Sequence, residues 1–321
     1  MIPLVLTNSS PGAPALTGQD GSLYNILKWA LPELGWTLEF DDSANFRAAF
    51  RTGMPAGSGY FLRIRDKGAD HGWGDGRYMA VEGFSSMSDV DTGNDGFPSS
   101  DHYLFKATET DATVHPWAII GTATFFWFLP NVNGIGHRWY WAGDYIAFAS
   151  DDATNFCIGA EGSPTTSTTA TVVAFSRLGA GADGSQVSQC AAMSRDGLAF
   201  GVNQGVVSPI GSSATSGEMG SIGTYPDPFT GSVNVSRIEL ADSLENWARR
   251  GVLPGILNPM ADLRVSSQSD FANQDIVAGL SNGRIITDLQ YFALNRSFDF
   301  NNSGWRAAAF FDVSNDWGPD W

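Results

Sequence analysis

Cysteine is nearly missing from this sequence. Only Cys157 and Cys190 occur in 321 residues, with no second ligand pair beside them. That excludes a disulfide framework and a zinc knuckle, and leaves two buried thiols as the expected state. Positive charge is also scarce: 18 Lys and Arg stand against 34 Asp and Glu, a net charge of −16. A field of that sign repels phosphate backbones, so direct sequence-specific nucleic-acid binding is not expected. Long apolar runs are absent too. The most apolar stretch, 118–129, is too short and too broken to span a bilayer, and no membrane anchor is expected. The opening Met1-Ile-Pro-Leu-Val-Leu-Thr-Asn8 lacks a basic segment followed by a long apolar run, so no secretory signal is expected. In that setting the Asn-x-Ser triplets at Asn8, Asn234, Asn295 and Asn301 read as chance matches.

The usual catalytic patterns are missing as well. There is no G-x-S-x-G elbow to carry a serine nucleophile. His71, His102, His115 and His137 do not have the spacing of a helical metal pair and read as surface or loop residues. Gly179-Ala-Gly-Ala-Asp-Gly184 fits G-x-G-x-x-G in form, but no helix pattern follows it and Asp183 would face the phosphates. A hairpin turn is the expected structure there. A glycosidase needs two facing carboxylates, and nothing selects such a pair among so many acids. No catalytic residue and no cofactor is assigned, and the chain is not expected to be an enzyme.

What the sequence does contain is one helix and many short strands. Leu23, Ile26, Leu27, Ala30 and Leu31 recur at spacings of three and four, which predicts a helix over 20–34 with one apolar face. Asp20 or Ser22 is the expected N-cap, and Pro32 with Gly35 the expected stop. Thereafter strands are expected at 36–40, 46–51, 60–65 and 78–84, with Tyr60, Leu62 and Ile64 on one face and Arg63 and Arg65 on the other. One β-rich run is expected over 117–129 and another over 139–148. Further strands are expected at 156–158, 169–177, 199–202, 233–241, 275–278, 283–287, 290–295 and 307–313. A helical turn is expected at 244–250 and an extended segment at 251–259. The 37 Gly, with many Ser, Thr, Asn and Asp, supply the turns. The fold class is therefore mainly β: antiparallel sheets, sandwich or barrel-like, with one N-terminal helix packed on the core. A polar run at 163–169 suggests β-rich halves at 1–162 and 163–321, or one intertwined domain.

Two stretches invite a functional reading. Asp89, Asp91 and Asp95 place three carboxylates in seven residues within the polar loop 85–100. Hard cations take oxygens from such loops, yet the spacing is not that of an EF-hand, and a hydrogen-bonded turn is the expected structure. Aromatic side chains are plentiful: 11 Trp and 21 Phe. Both faces of 122–129 are apolar, as in a strand buried on both sides or lying at an interface. Phe126, Phe128, Trp139, Trp141, Tyr145 and Trp305 are the candidate assembly contacts. Trp73, Trp139, Trp141 and Trp305 are the candidates for stacking on a glycan. The Gly/Ser-rich loop 204–224 lacks periodicity and is expected to be ordered by a neighbour.

Several segments together resemble a family of tailed-bacteriophage virion structural proteins. They are Ala13-Pro-Ala-Leu-Thr-Gly-Gln-Asp-Gly-Ser-Leu23, Met87-Ser-Asp-Val-Asp-Thr-Gly93, Tyr225-Pro-Asp-Pro228, Arg250-Gly-Val-Leu-Pro-Gly255 and Ala309-Phe-Phe-Asp-Val313. The resemblance runs from near residue 13 to near residue 315. The chain departs from the family where the helix continues: Trp29, Pro32 and Trp36 stand where the family has a different, more glycine-rich connection. The resemblance implies a virion component assembled in the bacterial host cytoplasm, of the tail or head–tail region. A capsid decoration protein or a receptor- or glycan-binding tip protein is the alternative placement. Its implied partners are copies of itself and other virion proteins, and it brings no catalytic residues.

Overall fold

The structure is a computed structural model. It describes residues 2–70, 74–132, 136–137, 140–148 and 155–160, then strand segments between 189 and 313, and 316–317. The expected strand 169–177, the Gly179–Gly184 turn and most of loop 204–224 lie outside the described residues, as do Trp73 and Trp139.

The helix spans Ser22–Leu34. Leu23, Ile26, Leu27, Ala30 and Leu31 are all buried, as their spacing requires. Each large aliphatic side chain so buried stabilises by about 1.5–3 kcal/mol. The end follows the expected chemistry. Gly35 takes a left-handed φ of 98°, and the N–H groups of Gly35 and Trp36 return to Pro32 O and Leu31 O at 3.0 Å each. Pro32 sits in the last turn and has no N–H to give the carbonyl four residues before it, so the helix loses one bond just before it stops.

Three antiparallel sheets are layered in the order outer, central and C-terminal, with the helix between the outer and central ones and the C-terminal sheet on the far face of the central one. The outer sheet is a meander of Thr37–Asp42, Arg47–Arg51, Phe61–Arg65, Tyr78–Phe84 and Phe97–Phe105. Period-two alternation sends Ala48, Phe50, Leu62, Ile64, Met79 and Val81 inward to the helix. Arg47, Arg51, Arg63, Arg65 and Glu82 fall on the opposite face, with Phe61 and Phe84.

The central sheet runs in the order Leu4–Thr7, Trp117–Gly121, Phe125–Val132, Tyr140–Asp144, Phe156–Ala160, Gln189–Met193, Ala199–Val202. Gly136–His137 also pairs with Phe125–Val132. One face carries Trp117, Ile119, Phe126, Phe128, Tyr140, Ala142, Phe156 and Ile158 into the helix core. The other face carries Ile120, Phe125, Trp127, Leu129, Trp141, Tyr145 and Cys157 into a second core, with Leu240, Leu253, Phe311 and Trp317. The two-sided apolar pattern of 122–129 is therefore explained inside the chain.

The C-terminal sheet has the order Val206–Val207, Val235–Asp242, Ala248–Pro259, Trp305–Asp312, Arg284–Phe298, Ile276–Ser281. Ile146–Ala147 adds to its Ala248–Pro259 strand. Pairing crosses residue 163 in both directions, through Phe156–Ala160 with Gln189–Met193 and through Ile146–Ala147 with Ala248–Pro259.

The sheets are open, and no closed barrel forms among the described residues. Several local expectations are corrected. The run 117–129 is two strands joined by a turn at Thr122–Thr124, because Thr122 N–H reaches Phe125 O at 2.8 Å. The loop 85–100 contains a small hairpin, Ser86–Met87 with Gly93–Asn94, and the start of the strand at Phe97. Residues 248–250 belong to a strand rather than a helical turn, and 290–295 continues the strand that starts at Arg284. In each case pairing with a neighbouring strand overrides a weak local signal.

Candidate functional site

The helix N-terminus is held by several bonds from distant parts of the chain. Asp20 and Ser22 do not cap it. Asp20 accepts from Gly68 N–H at 2.9 Å, and Ser22 Oγ donates to Thr17 O at 2.7 Å. The residue before the helix is Gly21, with φ 79°, and a side chain there would run into the Phe46 ring. The cap comes instead from Asp66, more than forty residues away. Its Oδ2 accepts both Leu23 N–H and Tyr24 N–H at 2.9 Å, and its backbone O accepts Gly21 N–H at 2.8 Å. A carboxylate there satisfies two orphan donors and meets the positive end of the helix dipole.

Asp66 Oδ1 is ion-paired with Lys106 Nζ, and both side chains are completely buried. Lys106 also donates to Gln19 O at 2.8 Å. Burial pushes the Asp66 carboxyl up to about 6, although Lys106 and the two helix N–H groups pull it down. Burial also pulls the Lys106 ammonium below its usual range, against the attraction of Asp66. Asp66 follows the strand Phe61–Arg65 and Lys106 follows Phe97–Phe105. The pair therefore ties two outer-sheet strands to the segment 17–24. Each charge is held by a partner of the same chain, so the joint is structural in its chemistry.

A second buried acid, Asp144, ends the central strand Tyr140–Asp144. It accepts from Ser58 N–H and Ser58 Oγ–H, both at 2.6 Å. Burial pushes its carboxyl up to about 7, and the two bonds from Ser58 offset this only in part.

The acidic loop is a hairpin laid over the arginine face of the outer sheet. Asp91 reaches Arg47 Nη1 at 2.9 Å, and its backbone O accepts from Arg63 at 3.4 Å. Asp89 accepts the Asp91 N–H at 2.8 Å, which draws its carboxyl below the usual range, and Asp95 accepts from Ser85 Oγ at 2.6 Å. Met87 packs on the outer face with Phe84, and Arg63 lies 4.9 Å from the Phe84 ring centre. Asp89 and Asp95 shape the turn and Asp91 holds Arg47, so the three carboxylates serve separate partners. Among the described residues, no group of three His, Cys, Asp or Glu could hold a metal ion.

The aromatic candidates fall differently from the expectation. Phe126, Phe128, Trp141 and Tyr145 are each at most 3% exposed within the single chain, so they are core and not free for assembly contacts. Phe126 and Phe128 are buried against the helix, and Trp141 and Tyr145 under the third sheet. Trp141 is equally shut off from any glycan. The side chains of Trp139 and Trp305 lie outside the described residues, so both remain unplaced as contacts. His115 is buried, not on the surface, and burial lowers its pKa against the pull of Asp111. Asp66, Lys106, Asp144 and Ser58 were not singled out in the sequence, because each is an isolated polar residue without a motif.

No protein-family model and no curated protein matches the chain.

Proposed function

We propose that this chain is a structural component of a tailed-bacteriophage virion, of the tail or head–tail region, that works by assembly rather than catalysis. The reading rests on the resemblance of its sequence segments, and one observation supports it: those segments sit at the joints of the fold. The stretch 13–23 leads into the helix and is held by Asp66 and Lys106. The stretch 87–93 is the hairpin strapped to the arginine face. The stretch 250–255 and Phe311 pack on Trp127, whose Nε1–H donates to Pro254 O at 2.8 Å and whose ring lies 5.5 Å from that of Phe311. Tyr225–Pro228 lies outside the described residues. A family signature placed at joints rather than in a cleft is what a load-transmitting part requires. The buried ionisable groups fit the same reading, since Asp66 and Lys106 are spent on holding backbone and each other.

The partners in this reading are copies of the chain and other virion proteins. The test is immunogold labelling of purified phage particles with an antibody to this protein, together with mass spectrometry of the same particles. Label at the tail or neck supports the proposal. Label over the shell makes it a decoration protein instead. Absence from particles overturns the virion reading.

A further inference from the structure

We propose that Asp144 is a proton-controlled latch at the point where all three sheets meet, closed when its carboxyl is protonated and loosened when it is ionised. The geometry places the group at the junction. Asp144 ends a central-sheet strand, with its N–H on Thr124 O at 2.8 Å. Two residues later, Ile146 pairs with Val252 of the C-terminal sheet. The side chain holds Ser58, in the loop 52–60 that joins two outer-sheet strands. That loop is also tied to the central sheet by Gly53 N–H to Ala123 O at 2.7 Å and by the Tyr60 ring, 5.9 Å from that of Phe156. Within the loop Gly59 N–H donates to Thr52 Oγ1 and Gly57 N–H to Gly53 O, both at 2.8 Å, and Gly59 O accepts from Arg51 Nε at 3.1 Å. The Asp144–Ser58 pair is therefore the side-chain clasp that holds this loop on the end of the Tyr140–Asp144 strand.

The chemistry differs from that of Asp66. Asp66 has Lys106 and a helix N-terminus; the partners described for the Asp144 carboxyl are the N–H and O–H of one serine. Among the described side chains, the elements packed around it bring Tyr60, Tyr145 and Cys157, and Arg51 is held on Gly59 O at 3.1 Å at the far end of the loop. An ionised carboxylate in such surroundings bears a desolvation cost that two hydrogen bonds only partly offset. Opening the loop returns Asp144 to water and its ordinary acidity. The closed form keeps its proton up to about pH 7. Opening must then become more frequent by up to about tenfold per pH unit between roughly pH 4 and 7, and level off above. The loop also carries Met54, 59% exposed, and Phe148 lies four residues beyond Asp144 and is 53% exposed. Loosening would thus alter an apolar part of the surface that a neighbouring subunit can read.

The test uses the full chain. Carboxyl carbon NMR is recorded from pH 4 to 9. Amide exchange of 57–60 is measured over the same range and divided by the intrinsic rate at each pH. The expected results are an Asp144 midpoint near 7, and protection that falls with pH and levels off above that midpoint. In Asp144→Asn the fall should disappear. If that variant fails to fold, Ser58→Ala serves: with one donor to the carboxylate gone, the midpoint and the levelling point should move up together. An Asp144 midpoint near 4, or protection of 57–60 independent of pH in the native chain, overturns the proposal.

Discussion

At the scale of single residues, the described structure is governed by how its buried charges are matched. Asp66 and Lys106 are fully buried and paired, so removing one partner should be far worse than removing both. Lys106→Met should cost about 3–5 kcal/mol by urea denaturation. The double variant Asp66→Asn/Lys106→Met should lose clearly less than the sum of the two single variants. Asp91 gives the contrast: its ion pair with Arg47 leaves the carboxylate side chain 54% exposed, and Asp91→Ala should change stability by no more than about 1 kcal/mol. Buried acids also set the pH dependence. Asp66 and Asp144 have folded pKa values of about 6 and about 7, above their ordinary 3.8. The folded chain keeps protons that the unfolded chain has released, so these two groups make stability fall as pH rises from about 4 to about 7, with no further change above. Thermal unfolding at pH 5 and pH 8 checks the sign; a lower midpoint at pH 5 in the native chain, restored by Asp144→Asn, would contradict it.

At the scale of elements, the helix and the turn after it are the sensitive parts. Leu27 lies in the middle of the buried face and meets both the outer and the central sheet through one core. Leu27→Ala should cost about 2–5 kcal/mol, the spread depending on how far the core closes over the cavity. Gly35→Ala tests the stop. The residue has φ 98°, and an added Cβ would lie 3.0 Å from that of Ala123. The left-handed conformation alone should cost about 1–2 kcal/mol, read as a lowered unfolding temperature. The helix was legible because its periodicity is local. Its cap was not, since Asp66 enters from a strand end with no sequence mark. The strands were legible as short alternating segments, while their ends moved wherever a neighbour continued the ladder, as at Ala248–Pro259.

At the scale of the molecule, Trp127 is one of the links between the central and C-terminal sheets. It is fully buried, donates to Pro254 O and meets Phe311 edge-on. Trp127→Ala should cost about 3–5 kcal/mol. Because the same change weakens the contact between two sheets, it should also separate transitions that coincide in the native chain. Far-ultraviolet circular dichroism and tryptophan fluorescence, followed together through denaturant, would show the separation. The arginines of the outer face are matched by Glu82, Asp70 and Asp91, so that face is not a free cationic patch despite its composition.

The sequence by itself determined the fold class, the helix with its buried face, the alternation that divides inward aliphatics from outward arginines, and the two-sided apolar character of 125–129. These follow from backbone periods of 3.6 and 2, which any local window contains. Only the tertiary structure decided what covers each face. From residues alone, an apolar stripe at Trp127 and Trp141 fits a second subunit as well as a third sheet. The choice depends on where residues 240–317 return in space. The same holds for the charged joints. Asp66 with Lys106, and Ser58 with Asp144, are separated by 40 and 86 residues along the chain. Their acidity is set by exclusion from water, and that exclusion exists only once the sheets are packed.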